Sequence, residues 1–348
     1  MALNYTDTAV LLTAYKEQEA PNTFLQNRYF PDGTTFTTAQ VLVEYKDGNQ
    51  KLAPFVSPEV GGKAVRREGY EANAYEPGLI APKRTLTIDN LTKKGFGEAL
   101  YGELTPAERA VKITADDLTE MDEMIARRQE QMCAQVLQEN ALTMKHYGDD
   151  NKVIATKKIE YFNGQNDAVY TVSVKWNEAD ADICNEIAAI AKLLTKRGLQ
   201  ATDVLMGSEA ADAFLNNEKI QKLLDNRNFN IGVIDPTENF DEAVFLGQIN
   251  CKGRKMNFIQ YDATYIDENG EEKSYIDPKT IVVTAPGCGV TNYGAITQID
   301  YGNADFTTYA EKRVPLYGVK DQVREVALRS APLVQPKHKN AFIKATVL

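Results

Sequence analysis

The chain has 348 residues, 43% of them hydrophobic, which is enough to bury a core divided between two domains. Its 39 Lys and Arg residues face 49 Asp and Glu residues, which gives a formal net charge of -10. This acidic balance excludes a protein that coats nucleic acid with its whole surface, because binding phosphate groups requires clustered cations.

The compartment is indicated by what the sequence lacks. No CxxC pair occurs among the cysteines, which are Cys133, Cys184, Cys251 and Cys288. This spacing is typical of free thiols in a reducing compartment, although it leaves one disulfide bridge as an alternative. The N-terminus has neither the positive region nor the apolar run of a secretory signal, and no window approaches 18 apolar residues. We therefore expect a protein that is soluble and intracellular when it is made, with no membrane partner.

The first part of the chain predicts two segments without a core of their own. Residues 1–35 contain few apolar residues and should lie against another surface. An alternating pattern that begins near Val41 and a second extended run over Leu79–Ile88 predict two strands. The stretch between them is rich in Pro, Gly and charge, so it predicts a long hairpin with an irregular tip. An isolated hairpin is marginally stable in water, and this one should need a neighbouring surface.

A long helix is the strongest single prediction. Thr114 is a candidate N-cap, Gly148 is the predicted stop, and an apolar stripe of helical period lies between them. Lys145 and His146 fall in the predicted last turn, where positive charge interacts favourably with the helix dipole. One stripe on so long a helix favours a helix laid across a sheet. The stripe consists of Leu118, Met121, Ile125, Met132 and Val136.

The middle of the chain predicts a mixed α/β unit. The Asn163-Gly164 pair predicts a hairpin between Val153–Tyr161 and Val169–Trp176. The following elements are a helix over Ala179–Arg197, a buried strand over Asp203–Met206, a helix over Glu209–Leu215 capped by Ser208, and a helix over Ile220–Leu224.

The last part predicts strands. A hairpin over Met256–Ile276 should turn at Asn269-Gly270, and Thr280–Thr284 should be a buried strand. Further strands are predicted over Val319–Leu328, Pro332–Val334 and Phe342–Val347. The whole pattern belongs to the α+β class.

No reactive centre emerges from the residues. Neither His146 nor His338 has the surroundings of a catalytic histidine, and no His or Cys cluster predicts a zinc site. The Gly62-Lys63 pair lacks the other residues of a phosphate-binding loop. The acidic run at 235–242 could hold a hard cation, but a solvated loop explains it better. We therefore expect no catalytic, cofactor-binding or metal-binding residue.

An ordered series of motifs resembles the lambda-type major capsid proteins of tailed phages. The series starts with Phe55-Val56-Ser57-Pro58 and Tyr75-Glu76-Pro77-Gly78-Leu79-Ile80-Ala81-Pro82-Lys83. It continues through the long helix and the strand-helix unit Asp203–Leu224 and ends with Ser330-Ala331-Pro332-Leu333. No single motif is as specific as a set of metal ligands, but the series covers essentially the whole chain.

The resemblance implies the HK97-like capsid fold. The reaching arm and hairpin would then find their missing partners on adjacent subunits, as heterologous contacts in symmetric shells allow. The implied parts are an N-arm (1–35), an extended E-loop hairpin (36–88), a P-domain (89–176) with a spine helix (115–147), an α/β A-domain (177–288) and a return to the P-domain (289–348).

The implied function is that of a major capsid protein, which self-assembles as hexamers and pentamers into an icosahedral shell around double-stranded DNA. A portal protein and a separate scaffolding protein are implied partners, and the DNA would be contacted weakly and without sequence specificity. Whether a decoration protein binds is left open, and covalent cross-linking is not expected. The protein would be assembled in the host cytoplasm and reside in the virion.

Seven residues are candidates for contact between subunits. Arg66, Arg67, Lys83 and Arg84 give the hairpin a basic character within an acidic protein, although Arg66 and Arg67 could equally be a solvated tip. Phe55, Tyr75 and Pro77 belong to the motifs that carry the resemblance. Two alternatives remain: an encapsulin-like nanocompartment shell, and a soluble enzyme with an unrecognised carboxylate site.

Overall fold

The computed structural model describes residues 23–38, 40–46, 70–88, 105–148, 152–161, 168–178, 180–224, 232–233, 239–240, 243–320 and 323–348. The helices are α1 (Phe24–Tyr29), α2 (Pro106–Glu139), α3 (Ile183–Lys196), α4 (Ser208–Asn216) and α5 (Glu218–Leu224). The strands of the first half are β1 (Asp32–Thr35), β2 (Val41–Lys46), β3 (Tyr70–Tyr75), β4 (Lys83–Leu86), β5 (Ala141–Tyr147), β6 (Val153–Glu160) and β7 (Val169–Thr171). Those of the middle are β8 (Asp203–Met206), β9 (Gly232–Val233), β10 (Asn239–Phe240), β11 (Ala243–Cys251), β12 (Arg254–Tyr261), β13 (Thr264–Ile266), β14 (Glu272–Ser274) and β15 (Thr280–Thr284). The last are β16 (Gly289–Tyr293), β17 (Ile296–Ile299), β18 (Phe306–Tyr309), β19 (Val314–Lys320), β20 (Val323–Arg329), β21 (Pro332–Pro336) and β22 (Ile343–Thr346).

The largest layer is an eight-stranded sheet in the order β10-β11-β12-β8-β15-β22-β7, with β9 also paired to β11. Its central strands β8 and β15 are entirely buried, because both faces of the sheet are covered. Both strands consist mostly of apolar residues, as is typical of strands that are buried on two faces. Ile187 and Ile190 of α3 and Phe214 of α4 lie in one hydrophobic cluster with Phe258 of β12. The Phe214 and Phe258 rings stack at 4.5 Å between centroids.

Helix α2 exists as predicted, but its bounds differ from the predicted 115–147. It begins at Pro106, where Thr105 and Glu108 form a capping box, and it ends at Asn140, which adopts a left-handed conformation with φ of 51°. Thr114 lies inside the helix and donates its hydroxyl to the Ala110 carbonyl at 2.8 Å. The 34 residues give a length of about 50 Å.

Residues after Asn140 form strand β5, so the predicted role of His146 at a helix end is wrong. Strand β5 pairs antiparallel with β6, from Ala141 opposite Glu160 to Tyr147 opposite Val153. The predicted hairpin between Val153–Tyr161 and Val169–Trp176 is therefore also wrong. Strand β7 instead pairs parallel with β22. The early helix stop explains both differences, because it releases β5 as a nearer partner for β6.

The described part of the predicted N-arm packs within its own subunit, contrary to the expectation of a partner on an adjacent one. Phe24, Leu25, Tyr29 and Phe30 are buried in a cluster with the C-terminal half of α2. The Glu130 carboxylate accepts hydrogen bonds from the backbone N–H groups of Leu25 (2.6 Å) and Gln26 (3.0 Å). These bonds satisfy two N–H groups at the start of α1, whose N-cap residue makes no side-chain capping bond. Strand β1 continues the segment and pairs parallel with β16.

A three-stranded sheet, in the order β19-β20-β4, lies on the N-terminal half of α2. Leu118, Met121 and Ile125 of the predicted stripe pack there against Tyr317, Val326 and Leu328. The single strand predicted over Val319–Leu328 is wrong, because this region contains parts of two paired strands, β19 and β20. The expectation of a long helix across a sheet is confirmed.

Other predictions differ in detail. Asp182, rather than Ala179, marks the start of α3 and accepts a hydrogen bond from the Asn185 N–H at 3.1 Å. Ser208 is the first residue of α4 and not its cap, which is Gly207. The turn near Gly270 joins only β13 and β14, whereas β12 pairs with β11. Strand β22 lies in the eight-stranded sheet, which differs from the predicted return of the chain to the P-domain.

Candidate functional site

The β2–β3 hairpin is a two-stranded sheet of its own in the part of the chain that the structure describes. It is paired antiparallel from Val41 opposite Tyr75 to Lys46 opposite Tyr70. Val41 is buried, and the Tyr75 ring lies edge-on to the Tyr161 ring at 5.6 Å, so the hairpin is anchored at its base. A two-stranded ribbon with unpaired edges is marginally stable alone and offers a template for another polypeptide.

The motif that follows β3 fastens the hairpin to the rest of the subunit. Glu76 forms a salt bridge with Lys157 at 3.0 Å. Ile80 and Ser330 exchange backbone hydrogen bonds of 2.8 and 2.9 Å. Tyr75 and Pro77 are half-buried against their own subunit.

The two candidate basic residues of β4 already have acidic partners within the chain. The Arg84 guanidinium contacts the carboxylates of Asp117, at 3.4 Å, and Glu120. Lys83 lies 3.4 Å from Glu325. Burial raises the pKa of Asp117, while Arg84 acts in the opposite direction. Exposed pairs of this kind contribute about 0–1 kcal/mol, so a carboxylate of a neighbouring subunit could replace the acidic partner of Lys83 or Arg84 at little cost.

Four of the seven candidates lie within the described residues. Tyr75 and Pro77 lie at the base of the hairpin, and Lys83 and Arg84 lie on the strand that leads away from it. The remaining three, Phe55, Arg66 and Arg67, lie outside the described residues.

Helix α2 carries an exposed ridge formed by Met124, Arg127 and Arg128, and apolar side chains are exposed on both sides of it. Met124 is 49% exposed, and concave surfaces on either side of it are bordered by the segment 78–82 and by the β13–β14 hairpin. Leu79 on one side and Ile266 on the other are 52% and 75% exposed. Arg128 pairs with Glu268 across the second surface. Exposed apolar surface with a polar rim is typical of contact with another polypeptide.

A second exposed apolar patch lies on the β17–β18 hairpin. Ile299 and Phe306 stand directly opposite each other, and Phe306 is 75% exposed. Tyr301 is half exposed, and its ring lies edge-on to that of Tyr317 at 5.2 Å. Sequence reasoning missed this patch and the α2 ridge. Ile296 and Ile299 are three positions apart and so lie on opposite faces of β17, and no alternating pattern distinguishes the exposed residue from the buried one.

A buried polar network joins α2 to the C-terminal part of the chain. The Arg313 guanidinium donates to Asp122 (2.7 Å), Gln129 (2.6 Å) and Ser330 (2.9 Å). Gln129 also donates to the Tyr293 hydroxyl at 3.2 Å. Buried charges are tolerated only when they are paired in this way. The network therefore fixes α2 relative to β16 and to the residues that precede β19 and follow β20.

At the N-terminal end of this network, Asp32 links three elements. It accepts hydrogen bonds from the Tyr293 hydroxyl (2.6 Å), the Lys312 ammonium (2.6 Å) and the Gln26 amide (3.0 Å). Burial acts to raise the pKa of Asp32, but the bonds from Lys312 and Tyr293 outweigh it and hold the pKa below its usual range. Burial also raises the pKa of Tyr293, which therefore stays a neutral donor.

Within the described ranges, no group of three or more His, Cys, Asp and Glu side chains is arranged to hold a metal ion. His338 is exposed near the C-terminus, and most of the acidic run at 235–242 lies outside the described residues. None of the described helices is both long and apolar enough to cross a membrane.

Comparison with known proteins gives a match over nearly the whole chain. The model of the family described as phage major capsid protein E matches residues 7–347. The P21 prophage-derived major head protein of Escherichia coli O6:H1 strain CFT073 is 25% identical over 347 residues, covering 97% of each chain. The major capsid protein of Escherichia phage lambda is 22% identical over 344 residues, with 97% of each chain covered.

A solved structure shows the fold. The crystal structure of the putative capsid protein of a prophage of Escherichia coli CFT073 superposes with a TM-score of 0.67 at 16% identity. It covers 98% of this chain and 99% of that one. The α+β class and the HK97-like capsid fold expected from the sequence are confirmed.

The family match also decides between the readings left open by the sequence. It favours a phage shell protein over an encapsulin-like compartment and places the chain among structural proteins. On its full-length match, the chain belongs to the phage major capsid protein E family.

Proposed function

We propose that this major capsid protein self-assembles as hexamers and pentamers into an icosahedral shell that encloses double-stranded DNA. The observation that carries the proposal is the family match over residues 7–347. The described surface supports it, since the β2–β3 hairpin, the α2 ridge and the β17–β18 patch leave backbone edges and apolar side chains for other subunits.

The parts of the subunit keep the proposed roles with the structural corrections included. The hairpin region 36–88 is the E-loop, and residues 89–176 are the P-domain, with its spine helix at Pro106–Glu139. Residues 177–288 are the A-domain, built on the eight-stranded sheet, and residues 289–348 return to the P-domain apart from β22. Residues 1–35 are the N-arm, whose described end is fixed in its own subunit.

Within the E-loop, the proposed contact residues are Phe55, Arg66, Arg67, Tyr75 and Pro77. Lys83 and Arg84 complete the set at the start of the three-stranded sheet. Their in-chain pairs are exposed, with Arg84 at 44% and Lys83 at 53%, so exchange for a neighbour's carboxylates costs little.

The charge of the chain suits a container for DNA. A net charge of -10 keeps the wall from binding phosphates strongly, so packaged DNA is contacted weakly and without sequence specificity. A portal protein and a separate scaffolding protein complete the proposed partners, and a decoration protein remains open. Assembly takes place in the host cytoplasm, the shell becomes part of the virion, and the subunit itself catalyses no reaction.

The test is to purify the full-length chain and to measure its size by exclusion chromatography and negative-stain electron microscopy. We expect particles of many subunits, either closed shells or rings of five and six. A single subunit of 38.7 kDa at every concentration and salt condition, with or without a scaffolding protein, would contradict the proposal.

A further inference from the structure

Two of the four cysteines meet at the edge of the eight-stranded sheet. Cys184 lies in the first turn of α3, and Cys251 is the last residue of β11, 67 positions further along the chain. Their sulfur atoms are 3.3 Å apart, with the Cys251 thiol donating to Cys184 Sγ. Both are free thiols in the structure. A disulfide needs an S–S distance of about 2.05 Å, so the two sulfur atoms have to approach by about 1.3 Å.

The two thiols differ in accessibility. Cys251 is 0% exposed inside the hydrophobic cluster, whereas Cys184 is half-buried and packs against the edge of the same cluster. A reagent in solution therefore reaches Cys184 first, and Cys251 is placed to resolve whatever adduct forms there.

The surroundings also favour Cys184 as the attacking thiol. The hydrogen bond from Cys251 lowers the pKa of Cys184, assisted by Lys252, while burial and Asp182 act in the opposite direction. The same bond, with burial, raises the pKa of Cys251. A thiol in the first turn of a helix gains further thiolate character from the helix dipole.

The backbone on both sides of the pair is well defined. The turn after Cys251 consists of Lys252 with φ of 51° and Gly253 with φ of 86°, as in a tight two-residue hairpin. Arg254, opposite Cys251 on β12, donates to the Thr195 hydroxyl at 2.8 Å and so holds the hairpin end against α3. The short approach of the two sulfur atoms thus joins elements that are already in contact.

We propose that Cys184 and Cys251 form a modification site, which closes to an intramolecular disulfide when the protein meets a small disulfide oxidant such as oxidised glutathione. The bond would tie the first turn of α3 to the end of the β11–β12 hairpin.

The reaction proceeds by two thiol–disulfide exchanges. The Cys184 thiolate attacks one sulfur of oxidised glutathione, which forms a mixed disulfide and releases one glutathione thiolate. Cys251 then loses its proton and attacks Cys184 Sγ, which forms the protein disulfide and releases the second glutathione thiolate. The two protein thiols lose two electrons and two protons, and oxidised glutathione takes them up as two glutathione thiols.

The other two cysteines provide a control within the same chain. Cys133 and Cys288 are buried, and burial raises the pKa of both thiols, that of Cys288 to about 12. They should remain unmodified under conditions that oxidise the proposed pair.

The test is to incubate the purified full-length chain, without denaturant, with oxidised glutathione, then to alkylate the free thiols, digest with trypsin and analyse the peptides by mass spectrometry. We expect a linked product of the peptides 176–192 and 228–252, which dithiothreitol separates. Closing so long a loop should raise the Tm by about 5 °C.

Single variants complete the design. Cys184→Ser and Cys251→Ala should each abolish both the linked peptide and the rise in Tm, whereas the matched control Cys133→Ala should retain them. A glutathione adduct on Cys184 without the linked peptide, no reaction of the native chain, or a link through Cys133 or Cys288 would overturn the proposal. The test requires no assembled particle, so its failure leaves the proposed shell function unaffected.

Discussion

At the scale of single residues, Arg313 shows what sequence patterns leave out. In the sequence it is one cation in a locally basic C-terminal region, which is typical of solvent-exposed charge. In the structure it and Asp122 are each 7% exposed, and its guanidinium joins strand and helix. Its two partners on α2 are 191 and 184 positions away, so no local pattern could have identified the network.

Replacing Arg313 by alanine should lower the free energy of unfolding by about 3–5 kcal/mol, because the buried Asp122 carboxylate loses this partner. Urea denaturation of the unassembled subunit measures the effect. Arg127→Ala is the control, since Arg127 forms an exposed pair with Glu123 within α2 and should cost about 0–0.5 kcal/mol. Equal losses for the two variants would show that the buried network contributes little.

Asp32 makes a second residue-scale prediction, on pH. A carboxyl group whose pKa is lowered by folding stabilises the protein above its unfolded pKa, near 3.9, and loses that contribution as the pH falls through the lower folded pKa. Asp32→Asn should therefore reduce stability at pH 7 and differ less from the wild type near pH 2.

The measurement is the urea midpoint of both proteins at the two pH values, with Asp212→Asn at an exposed position of α4 as the control. The control should change the midpoint little at either pH. A difference between Asp32→Asn and the wild type that stays constant from pH 7 to pH 2 is the result that this explanation forbids.

The role of a candidate contact residue depends on the residues that surround it in the folded chain. Lys83 and Arg84 are visible in the sequence as adjacent basic residues, but their acidic partners on α2 and β20 depend on how β4 joins its sheet. Sequence alone shows the charge and not the partner. The exposed apolar patch with Phe306 was missed because an aromatic residue in a strand pattern is more often buried.

At the scale of elements, the errors at α2 have a common cause. Thr105 and Thr114 both resemble N-caps, and only the reciprocal bonds between Thr105 and Glu108 make the first one the start. At the other end, Ala141–Tyr147 would fit a helix or a strand equally well. The pairing with β6 decides for the strand, which is a tertiary effect on a weak local preference.

The β2–β3 hairpin permits a clean deletion at this scale. Because Lys46 and Tyr70 are directly opposite each other, residues 47–69 can be replaced by Asn-Gly as a two-residue turn. The subunit should remain soluble, with an unchanged circular dichroism spectrum, since Val41 and Tyr75 at the base are retained. It should no longer form stable shells in electron micrographs. Intact particles, or an insoluble subunit, would refute the proposed role of the segment.

The arginines of the same segment give a prediction on charge. Arg66→Glu combined with Arg67→Glu should raise the protein concentration needed for assembly, because each subunit would lose a favourable contact of about 0–1 kcal/mol. The effect should be larger at low salt, where screening is weak. Light scattering during assembly measures it, and Arg66→Lys with Arg67→Lys is the control of equal charge. Assembly of the Glu variant at the wild-type concentration in low salt would exclude these residues from the interface.

At the scale of the whole molecule, the sequence predicted the fold class, the long helix and the buried strand β15 because each depends on local composition and period. It could not predict that β22 joins β15 and β7, because both pairings bring together segments that are far apart in the chain. The resemblance to a known family predicted more of the fold than the hydrophobic periodicity did. Chain segments whose partners lie on other subunits remain beyond both, since their surroundings are not contained in one chain.

The central claim is that these subunits close into an icosahedral shell through reaching contacts. A cryo-electron microscopy reconstruction of the assembled protein measures this directly. We predict icosahedral symmetry built from hexamers and pentamers, with each β2–β3 hairpin lying on the surface of a neighbouring subunit. An assembly without such symmetry, or a hairpin folded entirely onto its own subunit, would contradict the account.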